Sequence, residues 1–218
     1  RRFRCRAEMS AMLARARTGE LVQRAQQAMA AGHIDEAARL WEQVLAAAPE
    51  HPQALLHMGQ IALQKKNLAA ARGLLERAAK AAPDNPVVAL NLSYVFRNAG
   101  DVAGETAALT RSLGIDPYFY PALLAHGMLL ERTGKIREAA RIYKNVLKIA
   151  PPDDQLPPPI RASLSHAREI VRQNSAAMDR YLSGRMDRVR AQYPGENWKR
   201  LEECKDIATG GKRAYTPE

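Results

Sequence analysis

His33 and Asp35, in the segment GHIDEAARLW, stand two residues apart, the spacing at which non-haem iron centres take two of their three metal ligands. This pair lies where one helical pattern stops and the next begins. Short polar side chains there ordinarily accept hydrogen bonds from the first backbone N–H groups of a helix. We therefore expect Asp35 to cap a helix and expect no metal site. The other histidines, His51, His57, His126 and His166, are scattered and form no i, i+4 pairs with carboxylates. Cys5 and Cys204 sit near opposite ends of the chain with no CxxC or Cys/His spacing, so neither a disulfide framework nor structural zinc is indicated, and a reducing compartment fits best. No glycine-rich phosphate loop, nucleophile elbow or paired-carboxylate arrangement is present. No catalytic residue and no cofactor is expected within these residues.

The elements that carry those side chains are legible from composition. Aromatic residues make up 6% of the 218, and β-branched residues never gather into alternating runs, so strands are poorly supplied. An all-α chain is expected. Its net charge is +10, which suits an acidic partner. The excess is spread thinly over helices on which Arg and Lys alternate with Asp and Glu, a pattern of solvated faces; nucleic-acid binding, which clusters cations with aromatics on one face, is disfavoured. No apolar run has signal-peptide or membrane-spanning length, so a cytoplasmic protein without a membrane partner is expected. Residues 1–17 read as a basic arm. Within it, residues 1–8 precede Met9 and carry Arg1, Arg2, Arg4 and Arg6 against Glu8; we expect them to lie upstream of the natural start, which mass spectrometry of the native protein tests.

Pro49, Pro83, Pro117 and Pro151 each follow the last by 34 residues. In the same frame Gly32, Gly100 and Gly134 share a position with Lys66, and Ala37, Ala71 and Ala139 share one with Glu105. Four residues further on stand Trp41, Leu75, Leu109 and Tyr143, while Ala25, Gly59, Ser93 and Gly127 mark a small-residue position on the preceding helix. Small residues let two backbones approach, and the bulky one fills the space beside them. Glu105 and Ser112 break the pattern in the third copy, whose second helix is expected to pack less tightly.

These residues resemble the tetratricopeptide repeat, a helix, turn, helix and proline over 34 residues. Four copies are expected at about 18–51, 52–85, 86–119 and 120–153. The resemblance implies an α-solenoid, a right-handed superhelix in which the first helices line a concave groove for a protein or peptide ligand. Inward positions 2, 5, 9, 12 and 13 of the first helix, with 6 contributing, place Gln26, Met29, Leu56, Gln60, Leu63, Leu90, Asn91, Tyr94, Arg97, Asn98, Met128 and Arg132 in that groove. Val22, His57 and Leu124 fall there as well, or pack against a neighbouring repeat, since packing uses the same spacing. The lysine, asparagine and arginine clamp that some such proteins use for a terminal carboxylate is absent: its positions hold Val22, Gln26, His57, Val87 and Asn91. A groove of Leu, Met, Tyr and amides suits an extended or helical peptide.

PPDDQLPPPI, with residues 152–159, reads as a stiff connector, and from Ile160 an apolar stripe at helical spacing resumes through Leu164, Ala167, Val171, Met178, Leu182, Met186, Val189 and Tyr193. A long helix over 160–193 is expected, bent or split at RQNS or Gly184. It reads as a cap on the fourth repeat, with a homodimer seam as the alternative. Residues 194–218 read as a short helix closed by Gly210-Gly211 and an extended tail. The run from LPPPIRASLSHAREIV through RYLSGRMDRVRAQYPG to LEECKDIATGGKRAYTPE, following repeats of this kind, is similar to the N-terminal region of bacterial aspartyl/asparaginyl β-hydroxylase family proteins. That resemblance implies a following jelly-roll domain, absent from this chain, using Fe(II) and 2-oxoglutarate, with all of its catalytic residues beyond Glu218. The chain would then be the recruiting module of a hydroxylase; the alternative is a stand-alone adaptor.

Overall fold

Among the described residues the backbone passes through the left-handed region at four places, and all four share one position of the 34-residue frame: Gly32 (φ 78°), Lys66 (φ 58°), Gly100 (φ 73°) and Gly134 (φ 80°). Each closes a helix by the same pair of bonds. At the second, Lys66 N–H donates to the Leu63 carbonyl and Asn67 N–H reaches back to Ala62, both at 2.9 Å. This pattern satisfies the orphan carbonyls of a helix end and reverses the chain in about three residues. Glycine adopts the conformation without strain; Lys66 adopts it at a cost of about 1 kcal/mol.

The computed structural model describes the backbone of residues 2–192, with nine α-helices among them: α1 (Arg2–Ala30), α2 (Ile34–Ala47), α3 (Pro52–Gln64), α4 (Leu68–Ala81), α5 (Pro86–Asn98), α6 (Val102–Ile115), α7 (Tyr120–Arg132), α8 (Ile136–Ile149) and α9 (Pro158–Gln192). Among these residues there is no strand, and the fold is an all-α solenoid of helix-turn-helix repeats. Four of the starts carry a side-chain cap. His51, Asn67, Asn85 and Asp101 each accept a bond from a backbone N–H of the helix they precede, and Pro52 and Pro86 stand at first-turn positions where a missing N–H costs nothing.

The chain divides into two compact units, the boundary falling after Ala122 in the first turn of α7. In the first unit α1 packs on α2, α3 on α4 and α5 on α6, and α2·α3 and α4·α5 join successive pairs. Trp41, Leu75 and Leu109 are fully buried in these pairs, each contributing on the order of 2 kcal/mol by removal from water. A Cβ placed on Gly59 would lie 2.6 Å from Leu75 Cγ, so the backbones of α3 and α4 meet more closely than any side chain allows. Ion pairs span adjacent turns: Lys65 with Asp35 at 3.1 Å, and Arg77 with Glu50 at 2.8 Å, the same guanidinium donating to the Pro49 carbonyl.

In the second unit the Tyr143 ring occupies the space a Cβ on Gly127 would need. Its hydroxyl donates to Glu131 at 3.0 Å, and the same carboxylate is bonded by His166 of α9 at 2.8 Å. Leu164 and Ala167 are buried, and Arg168 holds Asp153 through two bonds of 2.7 and 2.9 Å. The first third of α9 therefore seats on the fourth repeat as a cap.

Several sequence expectations are corrected. Asp35 does not cap α2: His33 holds that position without a side-chain bond, and Asp35 lies in the first turn, where its carboxylate favours the positive helix end and pairs with Lys65. Residues 2–17, expected as a separate arm, continue α1, because the Ala, Arg, Glu and Met of that stretch favour helix and no proline or glycine interrupts it before Gly19. The long helix starts inside the expected connector, with Pro158 at its first position, and runs unbroken through Asn174 and Gly184. Only Asp153–Gln155, one 3-10 turn, stands between it and α8. The third repeat is not loosened: Glu105 is 2% exposed and Ser112 fully buried, the serine hydroxyl donating to the Pro86 carbonyl at 2.8 Å. A hydrogen-bonded hydroxyl is tolerated in a core where an unpaired one is not. Residues 193–218, including the expected tail and its glycine pair, lie outside the described residues.

Candidate functional site

A concavity of the first unit lies between α3 and α5. Its cavity of about 460 Å³ is lined by Gln60, Leu63 and Gln64 from α3 and by Asn91, Tyr94 and Asn98 from α5. Those spacings follow from helix geometry: residues three, four and seven apart share a face, and two such stripes from successive first helices form the walls.

Both asparagines are tethered to their own helix. Asn91 Nδ2 donates to the Val87 carbonyl at 2.8 Å and Asn98 Nδ2 to the Tyr94 carbonyl at 2.7 Å. Each tether uses the amide as a donor and leaves Oδ1 as the acceptor for a ligand N–H. Asn91 is 7% exposed and forms the floor; Asn98 stands at the exposed rim. Burial pushes the Tyr94 phenol above its ordinary range, against an opposing pull from Arg97, so it stays neutral and can donate.

Gln60 connects this surface to the core. Its Oε1 lies 3.0 Å from His57 Nδ1, and the His57 ring stacks on Trp41 with centroids 4.8 Å apart and planes 21° from parallel. Burial holds the His57 imidazole below its ordinary range, the bond to Gln60 opposing it. The neutral ring carries its hydrogen on Nδ1 and donates to the amide, which fixes the orientation of Gln60. Trp41 Nε1 is buried with no hydrogen-bond partner among the described residues.

Five of the twelve expected groove residues, Gln60, Leu63, Asn91, Tyr94 and Asn98, therefore meet in one concavity. Leu56 and Leu90 are turned into packing, 8% and 5% exposed. Gln26 and Met29 stand on α1, Arg97 is exposed at the end of α5, and none of these three lines the concavity. Met128 and Arg132 belong to the second unit. Gln64 was missed, although it occupies position 13 of the second repeat, the place Asn98 takes in the third, and the repeat frame alone could have found it. Among the described residues no three of His, Cys, Asp and Glu gather as a metal site, and His33 and Asp35 are exposed in separate contacts with Glu36 and Lys65.

The period, the left-handed turns and the helix pairing are accompanied by direct sequence matches. Family models described as tetratricopeptide repeat match residues 22–86 and 120–153. The chain carries tetratricopeptide repeats. Solved structures agree on the fold of these repeats. The tetratricopeptide protein TTC0263 of Thermus thermophilus matches with a TM-score of 0.60 and 18% identity, over 88% of this chain and 99% of that one. YrrB, described as a tetratricopeptide protein with an unusual peptide-binding site, matches with a TM-score of 0.52 and 17% identity, over 72% and 81%. An O-GlcNAc transferase mutant from Thermobaculum terrenum matches with a TM-score of 0.59 and 23% identity, over 62% of this chain and 26% of the transferase. At these identities the likeness is one of fold. No curated protein matches the chain in sequence. Tetratricopeptide repeats are modules for protein interaction, and no helix among the described residues is long and apolar enough to cross a membrane.

Proposed function

We propose that the chain is a scaffold whose α3–α5 concavity binds an extended peptide segment of a protein partner and performs no chemistry on it. The observation that carries this reading is the pair of tethered asparagines: both donate inward to their own helices, so both present carbonyl oxygens where backbone N–H groups of an extended chain would lie. Leu63 and the neutral Tyr94 supply apolar contact between them. Acceptors fixed in advance lose little side-chain entropy on binding, which favours affinity from few contacts.

Peptides selected by display against the full chain test this. Asn91→Ala with Asn98→Ala is expected to weaken a selected peptide about tenfold, as loss of two modest hydrogen bonds implies. Hydrogen exchange is expected to slow at residues 60–64 and 91–98 on binding. Selected peptides that bind the double variant unchanged would sink the proposal.

A second reading rests on the resemblance of residues 156–218 to the N-terminal region of β-hydroxylases. It makes this concavity the recruiting site for a protein substrate of a 2-oxoglutarate- and Fe(II)-dependent domain, in place of a stand-alone adaptor. The residues in hand are not ligands for that iron, so purified chain is expected to show no decarboxylation of 2-oxoglutarate. The reading frame past Glu218 decides between parent and adaptor.

A further inference from the structure

The second unit carries a different kind of surface. Along α8, Arg137, Arg141 and Lys144 follow at spacings of four and three, forming one stripe about 10 Å long. Opposite stand Asn174, Met178 and Tyr181 of α9, again at four and three. The two stripes wall a trough: one hollow of about 190 Å³ holds Arg141, Lys144, Asn174 and Met178, and a second of about 290 Å³ holds Arg137, Asn174, Met178 and Tyr181. Asn174 and Met178 belong to both, so the hollows are continuous, and the pairing of low α8 numbers with high α9 numbers makes the helices antiparallel.

The trough combines two features that a capping helix does not need. Its α9 wall sets two open apolar side chains, Met178 (37% exposed) and Tyr181 (54%), among the polar Asn174, Ser175 and Asp179, whereas Leu164 and Ala167 earlier on the helix are buried. Its α8 wall is cationic and uncommitted. Lys65, Arg72, Arg77 and Arg168 all hold carboxylates within 3.1 Å, but Arg137, Arg141 and Lys144 make no ion pair among the described residues. Among the residues lining the two hollows the one carboxylate is Asp179 on α9. Three cations against one carboxylate, with Met178 and Tyr181 exposed beside them, suit discrete anions spaced by apolar side chains. They do not suit the unbroken charge of a nucleic-acid backbone, which draws on many phosphate contacts at once.

We propose that the α8–α9 trough docks an acidic, amphipathic segment of a partner protein, its carboxylates meeting Arg137, Arg141 and Lys144 and its apolar side chains covering Met178 and Tyr181. This surface is separate in residues from the α3–α5 concavity and does not depend on it. Exposed charge pairs contribute modestly to affinity and strongly to selection among partners, so the apolar contact supplies hold and the cations supply choice.

Fluorescence anisotropy of the full chain with short labelled peptides tests it, using a set that alternates Glu with Leu or Phe, a set with Lys for Glu, and a set with Ser for Leu and Phe. Saturable binding is expected for the first set alone, weakening in high salt. Combined Arg137→Glu, Arg141→Glu and Lys144→Glu is expected to weaken it about tenfold or more, and Tyr181→Ser several-fold. Asn91→Ala with Asn98→Ala is expected to leave it unchanged, which separates this site from the first. All these positions but Asn91 are surface-exposed, and circular dichroism checks folding; if the triple variant unfolds, Arg141→Gln alone should still give a measurable loss. The proposal is overturned by acidic peptides that bind the charge variants equally, by no saturable binding, or by a single-stranded oligonucleotide that outcompetes every acidic peptide. A concentration-dependent dimer in sedimentation that the charge reversal abolishes would assign the trough to a second copy instead.

Discussion

The second and third repeats lie side by side in the first unit and reach the same helix-turn-helix geometry with opposite materials. The second closes α3 on Lys66 and packs α4 through Ala71, Leu75 and Ala78 against Gly59, an apolar contact throughout. The third closes α5 on Gly100 and packs α6 through Glu105, Leu109 and Ser112 beside Ser93. Its serines satisfy themselves on backbone carbonyls, Ser93 on Leu90 at 2.7 Å and Ser112 on Pro86 at 2.8 Å. One repeat strains its turn and keeps a dry core; the other relaxes its turn and places polar groups inside. The helix crossing is thus set by turn length and by one bulky residue per pair, while the remaining positions need only be small or hydrogen-bonded.

The sharpest way to break this comparison is to move the polar group across it. Ala71→Glu puts the carboxylate of the third repeat into the equivalent, fully buried place of the second, among Leu55, Leu75 and Val88. With no partner there, a loss of about 4 kcal/mol is expected in denaturant unfolding. A cost near zero would mean that the two cores are not different in kind.

The turns give a smaller effect of opposite sign. Lys66→Gly is expected to stabilise by up to about 1 kcal/mol, since the left-handed strain disappears while the exposed side chain contributes little packing. Gly100→Lys should cost a similar amount. Equal stability of all three proteins would show that the turn carries no strain.

The smallest expected effect is of pH. Burial lowers the folded pKa of His57 and of His126 below the ordinary 6.5. The unfolded chain therefore binds more protons between those depressed values and 6.5. Stability is at its full value above that range and falls as pH drops through the folded values. His57→Gln should flatten part of the fall in melting temperature. Because His57 stacks on Trp41, indole fluorescence should change over the same range in wild type and not in the variant.

What was legible in the sequence follows a physical line. The 34-residue period, the left-handed positions and the small-and-bulky pairs recur because each depends on its own repeat, and a helix pair has few ways to close. Expectations resting on one end of an element fared worse. Asp35 reads as a cap, yet His33 holds that position, and α9 begins at a proline that reads equally as connector. The expected groove positions Leu56 and Leu90 share the spacing of Gln60 and Tyr94 but turn inward, because adjoining positions on one helix face can serve packing or lining.

By itself, the sequence determined the all-α class, the repeat register and the residues at each turn, all of which follow from local propensity and periodicity. Tertiary structure alone decided which members of a helical stripe face a neighbour and which face open space. It also left three cations of α8 beside the open flank of α9. Those outcomes depend on how close two backbones come, a distance set by contacts between residues far apart in the chain.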